Sequence, residues 1–465
     1  METFDLTVIG AGPGGYPCAI RAAQLGARVA IVEREFLGGT CLNWGCIPTK
    51  TLIAGAHLLE KVRHAAGLGL VVEGASADYG KMFAHKNKVV GQLRTGVGAL
   101  LKGNGVTVFQ GQAAFAGRNR IRVTAADGSE QTLESARTVV ATGSTSAVPG
   151  FLPRHERVVE SRAFLDLEKL PKSLLVLGGG YIGCELAALA AGLGVKVTLV
   201  ELLDDILLLL DDDLRKEVRR HMEKNLGIRI LTGKALEKIE ADARGVRGAV
   251  GDETVEAEML LAAVGRQPVT DGLNLEAAGL TADEKGYVRV DEYGRTPVAT
   301  VWAVGDVNGG MQLAHAATSQ GVIVAENAIT GTLRKQERLV PAVIFTSPEV
   351  ALAGITEREA KEKGLEVKVG KFSFRALGRA MAAGATDGFV KWIADAKTDQ
   401  LLGAAVVGEG ATDLISEAAL AIRSELTAEE LGRTIHPHPT FGEIWMEAAH
   451  AVHGTCVHAP PARRK

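Results

Sequence analysis

Two cysteines, Cys41 and Cys46, sit within Gly38-Gly39-Thr40-Cys41-Leu42-Asn43-Trp44-Gly45-Cys46-Ile47-Pro48-Thr49-Lys50, ahead of an apolar, helix-compatible run over 51–59. On a regular helix this spacing rises about 7.5 Å, just past the roughly 7 Å between Cα atoms that a disulfide tolerates. Gly45 could let the first turn distort enough to close the pair. A disulfide strained in that way is easily reduced, which suits a redox catalyst better than a staple. A helix N-terminus lowers thiol pKa, so the reduced pair would carry a reactive thiolate. The other readings are two buried cysteines or half of a metal site. No second cysteine pair completes a tetrahedral zinc set.

Two glycine-rich turns could hold dinucleotides. A strand over 4–9 runs into Gly10-Ala11-Gly12-Pro13-Gly14-Gly15, then a helix over 18–26 and a strand over 29–32 ending at Glu33. Gly10 permits the tight turn, Gly12 lets backbone approach a pyrophosphate, and Gly15 lets the helix pack on the strand. The helix N-terminus then faces the phosphates, and Glu33 the ribose hydroxyls. Pro17 falls near the limit of the first helical turn, where proline is tolerated. The plan recurs as a strand over 173–177, the turn Gly178-Gly179-Gly180-Tyr181-Ile182-Gly183, a helix over 184–192, and a strand over 195–200 followed by Glu201. Gly178, Gly180 and Gly183 repeat the three roles. Two complete fingerprints imply two dinucleotides, one of which could be a permanently bound flavin. Glu201, with no arginine over 202–210, favours NAD over NADP. The leucines of 202–210 read as a packing patch.

A third constellation lies late in the chain: His436-Pro437-His438-Pro439-Thr440, then Glu443. A neutral imidazole can take a thiol proton at physiological pH, and a carboxylate on its other nitrogen fixes the tautomer. Taken alone, such a histidine pair reads as a surface loop.

These groups need a large scaffold. A chain of 465 residues is expected to form two to four domains. Gly is abundant at 56 residues and aromatics scarce at 5%, which suits an α/β protein with many tight turns. The balance of 52 Lys+Arg against 55 Asp+Glu leaves net −3 and no generic nucleic-acid footprint. Five cysteines without regular spacing do not form a secreted framework. With a strand starting beside the initiator Met and no long apolar run, the chain reads as soluble and cytoplasmic, with no membrane partner. A long amphipathic helix is expected over 79–102, with Met82, Val89, Val90, Leu93 and Val97 on its apolar side. Short strands follow over 106–123, and an apolar strand over 138–143. Beyond about 338, strands over 342–345, 389–393 and 401–407 alternate with helices such as 412–423. The tail holds His450, His453, Cys456 and His458. Their irregular spacing reads as a flexible tail rather than a metal site.

The cysteine segment resembles the active-site motif of the flavoprotein disulfide reductases. Leu42-Asn43-Trp44 and Ile47-Pro48-Thr49-Lys50 are most similar to the dihydrolipoamide dehydrogenase branch. The resemblance extends over nearly the whole chain. It implies an α/β fold of two Rossmann-like domains, for FAD and NAD, plus a C-terminal α+β dimerisation domain. The FAD domain would be discontinuous, over 1–145 and 271–340, with the NAD domain over 146–270 and the interface domain over 341–465. It implies a Cys41–Cys46 disulfide attacked at Cys41 by a dihydrolipoyl thiolate, with Cys46 nearer the flavin. His438, held by Glu443, would be the acid/base and would reach the site from the partner of a homodimer. Lys50 and Glu185 resemble a pair beside the flavin; otherwise they are a surface ion pair. Asp306, after the strand over 301–305, would meet the ribityl chain. Gly143 and Ala314 would also line FAD, and Gly265 would line NAD. His315 reads equally as a capping or core histidine. Implied partners are the lipoyl domains of 2-oxoacid dehydrogenase or related complexes. Tyr181 feeds an alternative, since glutathione reductases carry a tyrosine gate there: an NAD(P)H-driven reductase of another disulfide or of a metal ion.

Overall fold

The computed structural model describes residues 1–459. Every side chain of the strand Leu6–Ile9 is buried, the pattern of a central parallel strand covered on both faces. It sits mid-sheet in a five-stranded parallel order: Val301–Ala303, Thr138–Val140, Leu6–Ile9, Val29–Glu33, Thr107–Gln110. Helix α1 (Gly15–Gln24) follows the first strand and buries Cys18, Ala19 and Ala22. Pro17 is its third residue, where no intrahelical N–H is lost.

The helix expected over 51–59 lies within a longer one, and Gly45, where a distorted turn was expected, separates it from a short helix before it. The short helix is α2 (Gly39–Trp44) and the longer one α3 (Cys46–Arg63). Helix α4 (Tyr79–Gly103) matches the expected amphipathic helix and buries Val90 and Val97. Leu93 departs from that expectation and is 42% exposed. Instead Lys86 is buried, its Nζ donating to the Leu165 carbonyl at 2.8 Å. Leu165 ends the short helix α5 (Ser161–Leu165).

A second five-stranded parallel sheet repeats the first: Val158–Glu160, Met259–Ala262, Ser173–Leu177, Lys196–Glu201, Arg229–Thr232. In both sheets the strand that feeds the glycine turn is central and the strand that ends in Glu33 or Glu201 lies beside it. Helix α6 (Tyr181–Gly192) follows the second turn, and α7 (Asp212–Lys224) precedes the outer strand. The leucines over 202–210 only partly match a packing patch. Leu207 and Leu210 are buried, whereas Leu202, Leu203 and Leu209 are exposed.

A two-stranded ribbon, Ser144–Ser146 against Arg266–Pro268, joins chain leaving the first sheet to chain leaving the second. Helix α8 (Ala314–Thr330) then packs on α1; a Cβ on Gly321 would lie 2.2 Å from the Gly14 carbonyl, so glycine sets that approach. The last sheet is antiparallel, in the order Ala342–Ile344, Val350–Gly354, Leu401–Val407, Phe389–Asp395, Val367–Ser373. Its core centres on Trp392 and Trp445, whose rings lie 4.9 Å apart.

Lys391 is fully buried on this sheet. Its Nζ meets Asp211 at 2.8 Å, Asp213 at 2.9 Å and Glu357 at 2.6 Å. These acids are close enough together to hold a cation, and the ammonium stands at their centre. The cage ties α7 to the C-terminal sheet.

The C-terminal segment up to residue 459 is packed rather than loose. His450 lies in the helix Glu443–Val452, and the buried Glu447 accepts from Cys456 Sγ at 3.0 Å and pairs with His458 Nδ1 at 2.6 Å. The rest of the expected tail, residues 460–465, lies outside the described residues. No helix among the described residues is long and apolar enough to cross a membrane.

Candidate active site

Both glycine turns need glycine for geometric reasons. Gly10 has φ +99°, and a Cβ there would lie 2.5 Å from the Ala141 carbonyl. A Cβ on Gly15 would lie 1.9 Å from the Gly10 carbonyl, and one on Gly183 2.0 Å from the Gly178 carbonyl. A Cβ on Gly180 would meet nothing within 4 Å and one on Gly12 only the Gly39 Cα at 3.8 Å, which leaves the room a phosphate needs. A Cβ on Gly143 or Gly265 would likewise meet nothing within 4 Å. Glu33 accepts the Ala11 and Glu35 N–H groups, both at 2.8 Å, and Glu201 accepts those of Gly179 at 2.5 Å and Leu203 at 2.9 Å. A carboxylate has about four lone-pair sites, so each acid keeps acceptors for ribose hydroxyls.

A cavity of about 260 Å³ opens from the first turn; Gly12, Thr40, Cys46, Lys50, Asp306 and Ala314 are on its wall. Gly178, Gly180, Glu201 and Gly265 are not, but Tyr181 and Glu185, from the head of α6, are. The second turn therefore meets this cavity only through the start of its helix. The donor set suits a dinucleotide extended along the wall: glycine backbone, a helix N-terminus and an acid with spare acceptors at one end, thiols and a lysine at the other.

Cys46 is the first residue of α3, and Cys41 lies inside α2. A side chain at Gly45 would press on the Thr40 carbonyl at 2.9 Å, so the break between the helices depends on glycine. Cys41 and Cys46 are both half-buried. The Cys41 thiol, hydrogen bonding to Cys46, brings Cys46 down to about 7 against the opposing effect of burial, and the Lys50 charge assists. The same contact and burial push Cys41 up. The two shifts run in opposite directions, so Cys46 is the member of the pair that gives up its proton more readily. Lys50 Nζ reaches Glu185 Oε2 at 2.6 Å, and Glu185 Oε1 accepts the Phe345 N–H at 2.9 Å. The Glu185 side chain is only 5% exposed, which rules out a surface ion pair.

Asp306 accepts from the Ser144 hydroxyl and lies 3.7 Å from Arg266 Nε. Arg266 in turn donates to both Ser144 oxygens at 2.7 Å. Ala314 is the first residue of α8. His315 is neither cap nor core; it is exposed and its Nε2 meets the Pro341 carbonyl at 2.7 Å.

His438 Nδ1 lies 2.7 Å from Glu443 Oε1, and Glu443 Oε2 accepts the Thr440 N–H at 2.7 Å. Burial would raise the Glu443 carboxyl, but that N–H and the His438 ring hold it below its ordinary value. His436 pairs with Glu417 and is 6% exposed, whereas the His438 ring is 76% exposed. His438 is absent from the wall of its own chain's cysteine cavity.

The family model described as pyridine nucleotide-disulphide oxidoreductase matches residues 4–321, and the dimerisation domain of that description matches 340–449. The chain belongs to the pyridine nucleotide-disulphide oxidoreductases. It is 41% identical to the dihydrolipoyl dehydrogenase of Chlamydia pneumoniae, over 99% of both chains. It is 43% identical to that of Bacillus subtilis, over 98% of both. Among solved structures it is similar to LpdA from Mycobacterium tuberculosis, with TM-score 0.90, 29% identity and coverage of 97% of this chain and 99% of the other. The HOCl-induced flavoprotein disulfide reductase RclA from Escherichia coli, solved as a Cu(II) complex, gives 0.88 at 29% identity, covering 97% and 99%.

In this oxidoreductase, sequence reasoning missed Ser144, Arg266 and Arg162. Arg266 sits in Gly265-Arg266-Gln267-Pro268 and opens the ribbon strand that follows the second sheet's last strand, Met259–Ala262. A charged residue beside a glycine, a few residues beyond a buried parallel strand, was the available signal.

Proposed function

We propose that this protein is a dihydrolipoyl dehydrogenase, oxidising a protein-bound dihydrolipoyl group with NAD⁺ as acceptor. The observation that carries the reading is the Cys41/Cys46 pair at the α2–α3 break, facing one cavity with Lys50 and Glu185. Full-length relatives of that activity support it. The division into 1–145 with 271–340, 146–270 and 341–465 is part of the proposal. Gly10, Gly12, Gly15, Glu33, Gly143, Asp306 and Ala314 would hold FAD, and Gly178, Gly180, Gly183, Glu201 and Gly265 would hold NAD. Bound FAD supplies a two-electron carrier between thiols and nicotinamide.

The chain's own residues do the rest. His438 Nε2, left free by the Nδ1–Glu443 contact, takes the proton of one dihydrolipoyl thiol. The resulting thiolate attacks Cys41 of the oxidised pair; its sulfur bonds to Cys41 Sγ, the Cys41–Cys46 bond breaks, and Cys46 leaves as a thiolate. The second substrate thiol displaces Cys41, which leaves as a thiol, and cyclic lipoyl departs. Two electrons then rest on the cysteine pair. Lys50 and the α3 N-terminus hold negative charge on Cys46. Since His438 is not on the wall of its own chain's cavity, the partner of a homodimer would supply it. Lipoyl domains of 2-oxoacid dehydrogenase or related complexes are the proposed partners.

Tyr181, at the cavity wall, favours the second reading of an NAD(P)H-driven disulfide or metal-ion reductase. Cys41→Ser and Cys46→Ser test the first. Each should abolish dihydrolipoamide turnover while the purified protein keeps its flavin. Turnover surviving either substitution would refute the proposed site.

A further inference from the structure

Trp44 precedes the Gly45 break and is clamped. The Arg162 guanidinium carbon sits 4.0 Å from the Trp44 ring centroid, and the Phe36 ring meets Trp44 edge-on at 6.4 Å. Arg162 itself is fixed by a two-pronged pair with Glu35, Nη1 to Oε2 at 3.1 Å and Nη2 to Oε1. That pair holds the Glu35 carboxyl below its ordinary value. On the far side, Arg94 lies 3.8 Å over Phe36 and donates to Asn43 Oδ1 at 2.9 Å, while Asn43 Nδ2 donates to the Leu37 and Gly39 carbonyls. Arginine stacked on an aromatic face and bound two-pronged to a carboxylate is rigid in a way lysine is not.

Helix α2 needs such a clamp. It has six residues and no side-chain N-cap, and it ends against the Gly45 break rather than continuing. A helix this short is unstable by itself. Its C-terminal residue sets where Cys41 stands relative to Cys46.

We propose that Arg162 is a positioning residue for the cysteine pair: stacked on Trp44 and anchored by Glu35, it fixes α2 against α3 and so sets the Cys41–Cys46 contact. Arg162 comes from α5, which follows the outer strand Val158–Glu160 of the second parallel sheet, so the redox helix is held from outside the sheet that carries it. The inference rests on the reading of Cys41 and Cys46 as the redox pair.

The test uses the full-length flavoprotein, reduced with excess dihydrolipoamide and alkylated with iodoacetamide across pH. Cys46 and Cys41 modification is read separately by peptide mass. In the native protein Cys46 should react with a midpoint near 7. In Arg162→Met the midpoint should rise by about one pH unit, a tenfold loss of thiolate at low pH, and Cys41 should become more reactive as its partner contact loosens. Arg162→Lys should restore part of the shift, because it keeps a cation over the indole without the two-pronged anchor. Trp44→Phe should keep more of the native profile than Trp44→Leu. A purely structural role would lower the melting temperature of Arg162→Met and leave both alkylation profiles unchanged, and that result would overturn the proposal. The Cys41→Ser and Cys46→Ser turnover assays stand apart. If those variants turn over, the redox-pair reading has failed; if they do not and the Arg162→Met profile is native, only the clamp has failed.

Discussion

Cys46 has the Cys41 thiol, Lys50 and the α3 N-terminus around it, and the first two lower its pKa against burial. Cys41→Ala removes the hydrogen-bond donor, so the alkylation midpoint of Cys46 should move upward from about 7; an unchanged midpoint would show that the helix and Lys50 suffice. The His438–Glu443 contact leads to a second expectation. Removing a positioned general base typically slows a reaction by about 10² to 10⁴. His438→Gln should slow the thiol half-reaction by that order, and Glu443→Gln by less, because the imidazole remains. Stopped-flow reduction by dihydrolipoamide reads both. Glu201, with two backbone N–H contacts and spare acceptors, should favour NAD by on the order of a hundredfold in kcat/KM, since a 2′-phosphate meets a carboxylate. Glu201→Ala should narrow that ratio; equal kcat/KM in the native enzyme would contradict the assignment. At this scale the cysteine pair, the His438–Glu443 contact and the acids Glu33 and Glu201 at the strand ends were legible as groups, because spacing and chemistry name them. The Arg266–Ser144–Asp306 bracket was not. Its members come from three separated stretches, and only the fold brings them within reach of one another.

Elements that begin or end at glycine carry most of the site's geometry. The sequence pointed to Gly45 as a place where a turn could distort, and the structure makes it a full break between α2 and α3. Gly45→Ala must displace the Thr40 carbonyl, which should destabilise the protein by about 1–3 kcal/mol and slow the thiol half-reaction. Thermal unfolding and stopped-flow kinetics together check it; a variant native in both would mean that the break tolerates a Cβ. The two parallel strands and their helices were legible because buried runs, glycine turns and terminal acids recur in the same order. Three elements read less well. Leu93 fits the helical period yet faces outward, and Lys86 is inward because it has the Leu165 carbonyl and Asp166 to meet. Leu202, Leu203 and Leu209 are exposed, so composition alone did not assign a face. The segment to residue 459 packs because the buried Glu447 offers two oxygens to Cys456 and His458, a contact that irregular spacing concealed.

Across the whole molecule, the Lys391 cage joins α7 to the antiparallel sheet. Lys391→Met would strand the buried Asp211 beside two acids that still reach water, so the loss should fall near the low end for a broken buried pair, about 3 kcal/mol, read by denaturant unfolding. An unchanged midpoint would show that the acids are neutralised another way. The exposed His438, absent from its own cavity wall, bears on the assembly. Mixed dimers of Cys41→Ser and His438→Gln chains place both lesions in one site and neither in the other, so activity should return on subunit exchange. Exchange without recovery would keep the histidine within its own chain. The central claim, that the Cys41/Cys46 cavity serves dihydrolipoyl oxidation with NAD⁺, is tested most directly by one steady-state comparison on the purified flavoprotein: dihydrolipoamide with NAD⁺, against glutathione disulfide and Hg²⁺ with NADH and NADPH. The account predicts a kcat/KM for dihydrolipoamide with NAD⁺ at least on the order of a hundredfold above the others, a gap of about 2.7 kcal/mol in transition-state stabilisation. Faster reduction of glutathione disulfide or Hg²⁺, with dihydrolipoamide left unoxidised, would contradict it.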